Sequence, residues 1–210
     1  MWFDTHAHLV DEQLATQVEQ VLARAAAAGV RRILVVGTTA ESSLAGVALA
    51  QRYPQLSVSV GIHPNYAHQA TADDWQVIRT AAVDERVVAI GETGLDRYWD
   101  DCPFPMQLEA FRRQIELSLE LNKPFIVHQR DCEADVREEL RRAVEMAAGR
   151  PLRGIMHSFT GAWETAAAAL DAGLHLSFAG MLTYPKNQAL RDIALRVPAE
   201  RLLLETDAPY

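Results

Sequence analysis

The chain has 210 residues, 49% hydrophobic and 23% charged, with a formal net charge of −8; it is long enough to bury a full core and ordinary in composition for a soluble globular protein. The acidic balance argues against broad adhesion to duplex nucleic acid, which needs a basic face, but not against local capture of a phosphodiester by bound divalent ions. Two cysteines, Cys102 and Cys132, give no disulfide framework, there is no apolar run of about 18 residues and no secretory leader, and the expectation is a monomeric cytoplasmic protein with one domain over 1–210.

In chain order, short apolar runs alternate with longer helical patterns. Strands are expected at Trp2–His8, Arg32–Gly37, Leu56–Gly61, Val87–Glu92, Pro124–His128, Gly154–His157, Leu174–Phe178 and Leu202–Thr206. Between them, apolar residues at three-to-four spacing predict helices over Val18–Ala28, Ser42–Gln51, Asp73–Ala82, Met106–Leu121, Ala134–Ala147, Glu164–Ala172 and Ala189–Arg196. Thr71 and Asp73 are N-cap candidates for the third of these. Strict alternation of strand and crossover helix implies an α/β fold with a parallel sheet, and eight units imply a (β/α)8 TIM barrel. Tyr210 follows the eighth strand directly. The closing C-terminal helix is therefore expected to be missing from this chain, leaving the outer faces of the first and last strands uncovered.

Laid on that scaffold, the chemistry-bearing residues fall at the C-terminal ends of strands, where barrels of this kind gather reactive groups. His6 and His8 end the first strand in Asp4-Thr5-His6-Ala7-His8, spaced so that both imidazoles share a face. His63 follows the third strand, Glu92 ends the fourth, His128 the fifth, His157 the sixth and Asp207 the eighth. Burying these imidazoles and carboxylates together with no cation between them would be costly. Six of them exceed the needs of one four-coordinate ion. The ring predicts two divalent metal ions: one held by His6, His8, Glu92 and Asp207, the second by Glu92, His128 and His157, with Glu92 as the bridge. Ions about 3.5–4 Å apart would clamp an oxygen-rich electrophile and activate water. Imidazole suits Zn2+, while carboxylate and phosphate suit Mg2+ or Mn2+.

The wording around these residues resembles the TatD family of metal-dependent deoxyribonucleases, a branch of the amidohydrolase-like barrels. The matching segments are FDTHAHL, VGIHP, GETGLDRYWD, FRRQIELSLELNKPFIVHQRD, HSFTG, HLSFAGMLTYPKN and LLLETDAPY, nearly end to end. The resemblance implies hydrolysis of DNA phosphodiesters, usually from a 3′ end of a single strand. It places His6, His8, Glu92, His128, His157 and Asp207 on the family's ligand positions, and His63 on the position that holds the scissile phosphate. The departures, Val10-Asp11-Glu12 after the first strand and Cys132 after Arg130-Asp131, lie outside the ligands.

Within that reading Asp207 is placed to take the proton of the attacking water, and His63 to donate to the phosphate or the leaving group. Glu205, two residues before Asp207, shares its inward face one layer down and is expected to accept a ring N–H from a ligand histidine; a polar group on the barrel floor is the other reading, and Asp4 carries the same ambiguity. Tyr98 and Trp99 are candidates to stack on bases, or to pack under their loop. Arg130 and Lys186 lie on mouth loops, within reach of a phosphate backbone. Ser158, Thr160 and Gly161 precede a helix whose N–H groups could bind phosphate or simply be capped. Asp131 is expected as an N-cap, Asp96 as a support for its loop, and His68 and His175 as non-ligands. The alternative function keeps the same metals and cuts an amide, ester or lactone; relatives of that kind often bridge their ions with a lysine where this chain has Glu92.

Overall fold

The computed structural model describes residues 1–210. Eight parallel strands follow one another round the sheet in chain order. They are β1 Trp2–Ala7, β2 Val30–Val36, β3 Leu56–Val60, β4 Val87–Asp96, β5 Phe125–Arg130, β6 Gly154–Met156, β7 His175–Phe178 and β8 Leu202–Leu204. The helices are α1 Glu12–Ala15, α2 Val18–Ala27, α3 Ala40–Arg52, α4 Ala72–Ala81, α5 Phe104–Leu121, α6 Glu133–Met146, α7 Trp163–Asp171 and α8 Gln188–Ala194. This is the (β/α)8 barrel that the alternation predicts, with α1 as an added turn that the periodicity misses. No helix is long and apolar enough to cross a membrane.

Local signals set the helix ends. Thr39 and Thr71 open α3 and α4 with reciprocal capping boxes to Ser42 and Asp74, so Thr71, not Asp73, is the N-cap. The helix C-termini lie at the end of the barrel opposite the site, and cations meet their free carbonyls. Lys123 Nζ donates to Ala82 O at the end of α4 at 2.5 Å and also to Val87 O at the start of β4 at 2.6 Å, and Arg201 donates to Gly173 O just past α7 at 2.6 Å. Such cations complement the negative end of the helix dipole.

Alternate residues of each strand face opposite layers. Ile33, Val35 and Ile90 pack with α2, α3 and α4, and Phe125 and Val127 with α5, α6 and α7. Each fully buried side chain of that size stabilises the fold by about 1.5–3 kcal/mol. Leu34, Val36, Ala89 and Ile126 pack together as a small separate plug inside the barrel. Thr5 Oγ1 meets Ser177 Oγ across the interior at 2.9 Å.

β1 and β8 close the ring through a single bridge, Ala7 to Ala208, with His8 N donating to Ala208 O and Asp207 N to His6 O. Asp4 is part of that closure. Its carboxylate accepts from Thr206 Oγ1 at 2.7 Å and Thr206 N at 3.0 Å, so it reaches across the seam instead of supporting a histidine ring. The apolar start of β1 is not buried: Trp2 and Phe3 are exposed, as is Leu204 of β8. The buried part of the strand begins at Asp4.

Candidate metal centre

All seven sequence-selected residues and one more carboxylate, Asp96, converge at the C-terminal mouth of the barrel. His6 sits at the end of β1 and His8 just beyond it. Glu92 lies inside β4, which runs on to Asp96. The extension depends on Gly94, which has φ +127°; a Cβ there would stand 2.1 Å from His128 O. Only glycine lets β4 approach β5 so closely. His128 is in β5, His157 follows β6, and Asp207 follows β8 at φ +57°, a left-handed conformation that aspartate tolerates better than most residues.

Glu92 is the centre of the cluster, and its two oxygens face opposite ways. Oε2 lies 3.2 Å from His6 Nε2 and 3.7 Å from His8 Nε2. Asp207 Oδ1 is 3.5 Å from His8 Nε2 and 3.7 Å from His6 Nε2, and the two Nε2 atoms are 3.1 Å apart. Oε1 lies 2.8 Å from His157 Nε2, 3.2 Å from His128 Nδ1 and 3.5 Å from His63 Nε2. His128 Nδ1 and His157 Nε2 are 3.3 Å apart.

These separations match the edges that metal coordination polyhedra would have. A tetrahedron of nitrogen and oxygen ligands about 2.1 Å from a central ion has edges of about 3.4 Å. Both sets scatter around that value. The charges agree: Glu92, Asp96, Asp207 and Glu205 have no lysine or arginine as an ion-pair partner, only histidines. Glu92 and Asp96 are almost fully buried. Buried carboxylates without a cation are unfavourable, and His6 Nδ1, His157 Nδ1 and Glu205 Oε2 are buried without any hydrogen-bond partner. The residues fit divalent metal ions by spacing, by charge and by donor chemistry.

The protonation pattern reports the same field. Burial would raise the Glu92 carboxyl, but the imidazoles of His157, His63 and His6 around it hold it well below the usual carboxylate range. Burial opposes charge on His157, yet Glu92 and Glu205 raise its pKa well above the ordinary imidazole value. His128 is likewise raised against its burial, chiefly by its hydrogen bond to Asp96. Without a cation, protons are drawn onto His157, His128 and His8, whereas burial keeps His6 below the ordinary imidazole value.

His63 differs from the others. Its Nδ1 accepts from Asn65 N at 3.1 Å, and burial lowers its pKa to about 3. The ring is neutral, and with its acceptor nitrogen engaged the hydrogen is on Nε2. Nε2 is then a donor that can reach an anionic oxygen, and it lies with donor atoms of Glu92 and His128 within 4.8 Å of one another.

The supporting layer holds one residue that the sequence reading underrated. Asp96 Oδ2 accepts from His128 Nε2 at 2.8 Å, which leaves the Nδ1 lone pair facing Glu92 and His157. Asp96 Oδ1 accepts from Tyr98 N and Trp99 N. One carboxylate thus orients a candidate ligand and anchors the aromatic loop. Glu205 lies below the other side, with Oε1 3.5 Å from His157 Nδ1 and receiving Ser158 N at 2.6 Å. Donor atoms of His6, His157 and Glu205 all lie within 4.8 Å of one another.

A cleft of about 990 Å3 opens above the centre, bordered by Trp99, Arg130, Tyr66, Tyr184 and Tyr210 among others. Arg130 lies flat over Tyr98, 3.6 Å from the ring centroid, and 5.8 Å from Trp99. Tyr98 itself does not border the cleft, and its ring supports Arg130. The N-terminus of α7 is already filled: Glu133 Oε2 accepts from Ala162 N and Thr165 Oγ1, so a carboxylate occupies the place expected for a phosphate. Asp131 has φ +55° and is not an N-cap; Cys132 precedes α6 instead. His68 is exposed, and His175 starts β7 at the far end of the barrel.

A model of the TatD related DNase family matches residues 3–210. The chain is 40% identical over 210 residues to the uncharacterized metal-dependent hydrolase YabD of Bacillus subtilis, spanning 100% of this chain and 81% of that protein. It is 37% identical over 210 residues to the 3′-5′ ssDNA/RNA exonuclease TatD of Pantoea ananatis, spanning 99% of this chain and 79% of that one. The crystal structure of the TatD homologue YjjV from Escherichia coli superposes with a TM-score of 0.91 at 31% identity, covering 99% of this chain and 79% of that chain.

Proposed function

The chain belongs to the TatD-related DNase family of metal-dependent hydrolases, and from that premise we propose that it hydrolyses phosphodiester bonds of single-stranded DNA from the 3′ end, at a two-metal centre. The observation that carries the reading is Glu92, whose two oxygens face two separate sets of histidine nitrogens. One divalent ion is assigned to His6, His8, Glu92 and Asp207, the other to Glu92, His128 and His157, with Mg2+, Mn2+ and Zn2+ all compatible with mixed nitrogen and oxygen donors. When bound, such ions supply the positive charge that stabilises a phosphoryl transition state and make water a better nucleophile.

The protein's own groups do the rest. Asp207 puts Oδ1 among the ligand nitrogens and leaves Oδ2 without a protein partner, free to take the proton of the attacking water. His63 donates Nε2–H to a non-bridging or departing oxygen. Asp96 fixes His128 with Nδ1 inward, and Glu205 stands 3.5 Å from His157 Nδ1 as the nearest carboxylate on that side. Arg130 and Trp99 meet the strand beside the cut. Strictly local charge of this kind is compatible with a net charge of −8.

The test is degradation of an end-labelled single-stranded oligonucleotide by metal-stripped protein, with each ion added back. A ladder shortening from the 3′ end, lost in Glu92→Ala, supports the reading. Absence of cleavage by protein that holds two ions refutes it.

A further inference from the structure

The charge around the mouth limits how much of a nucleic acid the site can hold. Among the side chains bordering the cleft, Arg130 is the one permanent cation, against Asp11, Glu92, Asp96, Asp131, Glu133 and Asp207. Lys186, on a mouth loop, does not border it. Arg97 is paired with Asp135 at 2.9 Å and does not border the cleft. Arg130 makes no side-chain hydrogen bond or ion pair with the protein; its flat face rests on Tyr98 and its N–H edges are free. A guanidinium fixed on an aromatic face with unpaired donors is prepared for one phosphate.

We propose that, beyond the bond it cuts, the site reads a single further phosphate through Arg130, so that its effective substrate is a trinucleotide-length chain end and longer DNA gains nothing more. The proposal rests on the phosphodiesterase reading above and specifies the substrate's extent. Three features support it. The cleft, at about 990 Å3, is the size of a small-molecule pocket, about 300–1,000 Å3, rather than a strand-tracking groove. Asp131 and Glu133, which also border the cleft, add negative charge to the rim that holds Arg130. And the anion position at the start of α7 is taken by Glu133.

The experiment compares oligothymidylates of two, three, five and twenty nucleotides with metal-loaded protein, measuring kcat/KM between ~50 and ~200 mM salt. The dinucleotide carries only the scissile phosphate, and the trinucleotide adds the one for Arg130. A rise of about tenfold or more from two to three, the size of one charge-assisted hydrogen bond, followed by a plateau, is expected. The salt slope should be about −1.4 for two neutralised phosphates on a single strand. In Arg130→Ala the step from two to three disappears and the slope falls to about −0.7; Arg130→Lys keeps the slope but raises KM for the trinucleotide. A gain that continues to twenty nucleotides, a slope steeper than about −3, or an undiminished step in Arg130→Ala overturns the proposal. Cleavage of no length with any ion removes the phosphodiesterase reading and the proposal with it, whereas cleavage with the wrong length dependence removes only the proposal.

Discussion

Replacing Asp96 by asparagine separates the two proposed ion positions. In the protein three N–H groups point at this carboxylate: His128 Nε2, Tyr98 N and Trp99 N, at 2.8, 2.8 and 3.0 Å. Asparagine has the same shape but one acceptor oxygen and one NH2 group. If the oxygen stays with the two backbone amides, the NH2 faces His128 Nε2–H, donor against donor. The ring must then turn or change tautomer, and Nδ1 is no longer presented to Glu92 and His157. The lost bond is charge-assisted and worth about 1.5–3 kcal/mol. At about 1.4 kcal/mol per decade that is a roughly 10–100-fold loss of affinity, in line with the usual effect of an outer partner of a ligand histidine. The loss should fall on one ion only, because His6, His8 and Asp207 make no contact with Asp96. Isothermal titration of metal-stripped protein, read beside bound metal by mass spectrometry, would give one affinity near wild type and one lowered. Equal loss at both positions, or none, would refute the argument that Asp96 acts through His128.

Glu205→Gln should act on both ions, weakening each by about tenfold in the same titration, because Glu205 lies beside His6 and His157 together. Ion loading should fall with decreasing pH: His157 and His128 have raised pKa values, so they take up protons early on acidification and expel the ions, by about one decade of affinity per pH unit for each proton displaced. Equilibrium dialysis across the acid range would read this, and pH-independent loading would contradict it. Gly94→Ala forces a Cβ to 2.1 Å from His128 O at φ +127°, and urea unfolding should show a loss of about 3 kcal/mol or more. Asp4→Ala removes the hydrogen bonds to Thr206 that join the first and last strands; a loss of about 2–4 kcal/mol in the same assay is expected, and an unchanged midpoint would mean the seam is held elsewhere.

The barrel was readable because its strands are continuous apolar runs and its helices have clean apolar periodicity; most predicted boundaries lie within two residues of those observed. The converging histidines were readable because each ends a strand, and the fold does the rest. Asp96 was harder to see for a specific reason. Gly94 suggests that the fourth strand stops at Glu92, and a loop carries no facing rule. In fact Gly94 pairs with His128 and Asp96 with Arg130 in a continuing ladder, and with the strand extended, alternation puts Glu92, Gly94 and Asp96 on one face. The seam misled in the opposite direction. The register between β1 and β2 shifts between Asp4 and Ala7, so the simple alternation that correctly joins His6 to His8 fails for Asp4. Local spacing also could not reveal that Glu133 fills the start of α7, since that contact joins neighbouring helices.

The same division of charge explains how an acidic chain can be suited to an anionic substrate. At the closed end of the barrel, Lys123, Arg150, Arg153 and Arg201 donate to carbonyls where helices finish, so their positive charge is spent on dipoles pointing the same way. At the open end acidic residues predominate, and the carboxylates Glu92, Asp96, Asp207 and Glu205 create a potential that would draw divalent ions. Two such ions would reverse the sign at the centre over a few ångströms, leaving the acidic rim unchanged. On the proposed reading a phosphate at the centre would then be attracted, and a phosphate farther along the strand repelled unless it met Arg130. On the proposed reading, reach along the nucleic acid would be short for the same reason that the centre draws metal ions. A basic rim would lengthen the grip on DNA, but it would also weaken the potential that assembles the centre.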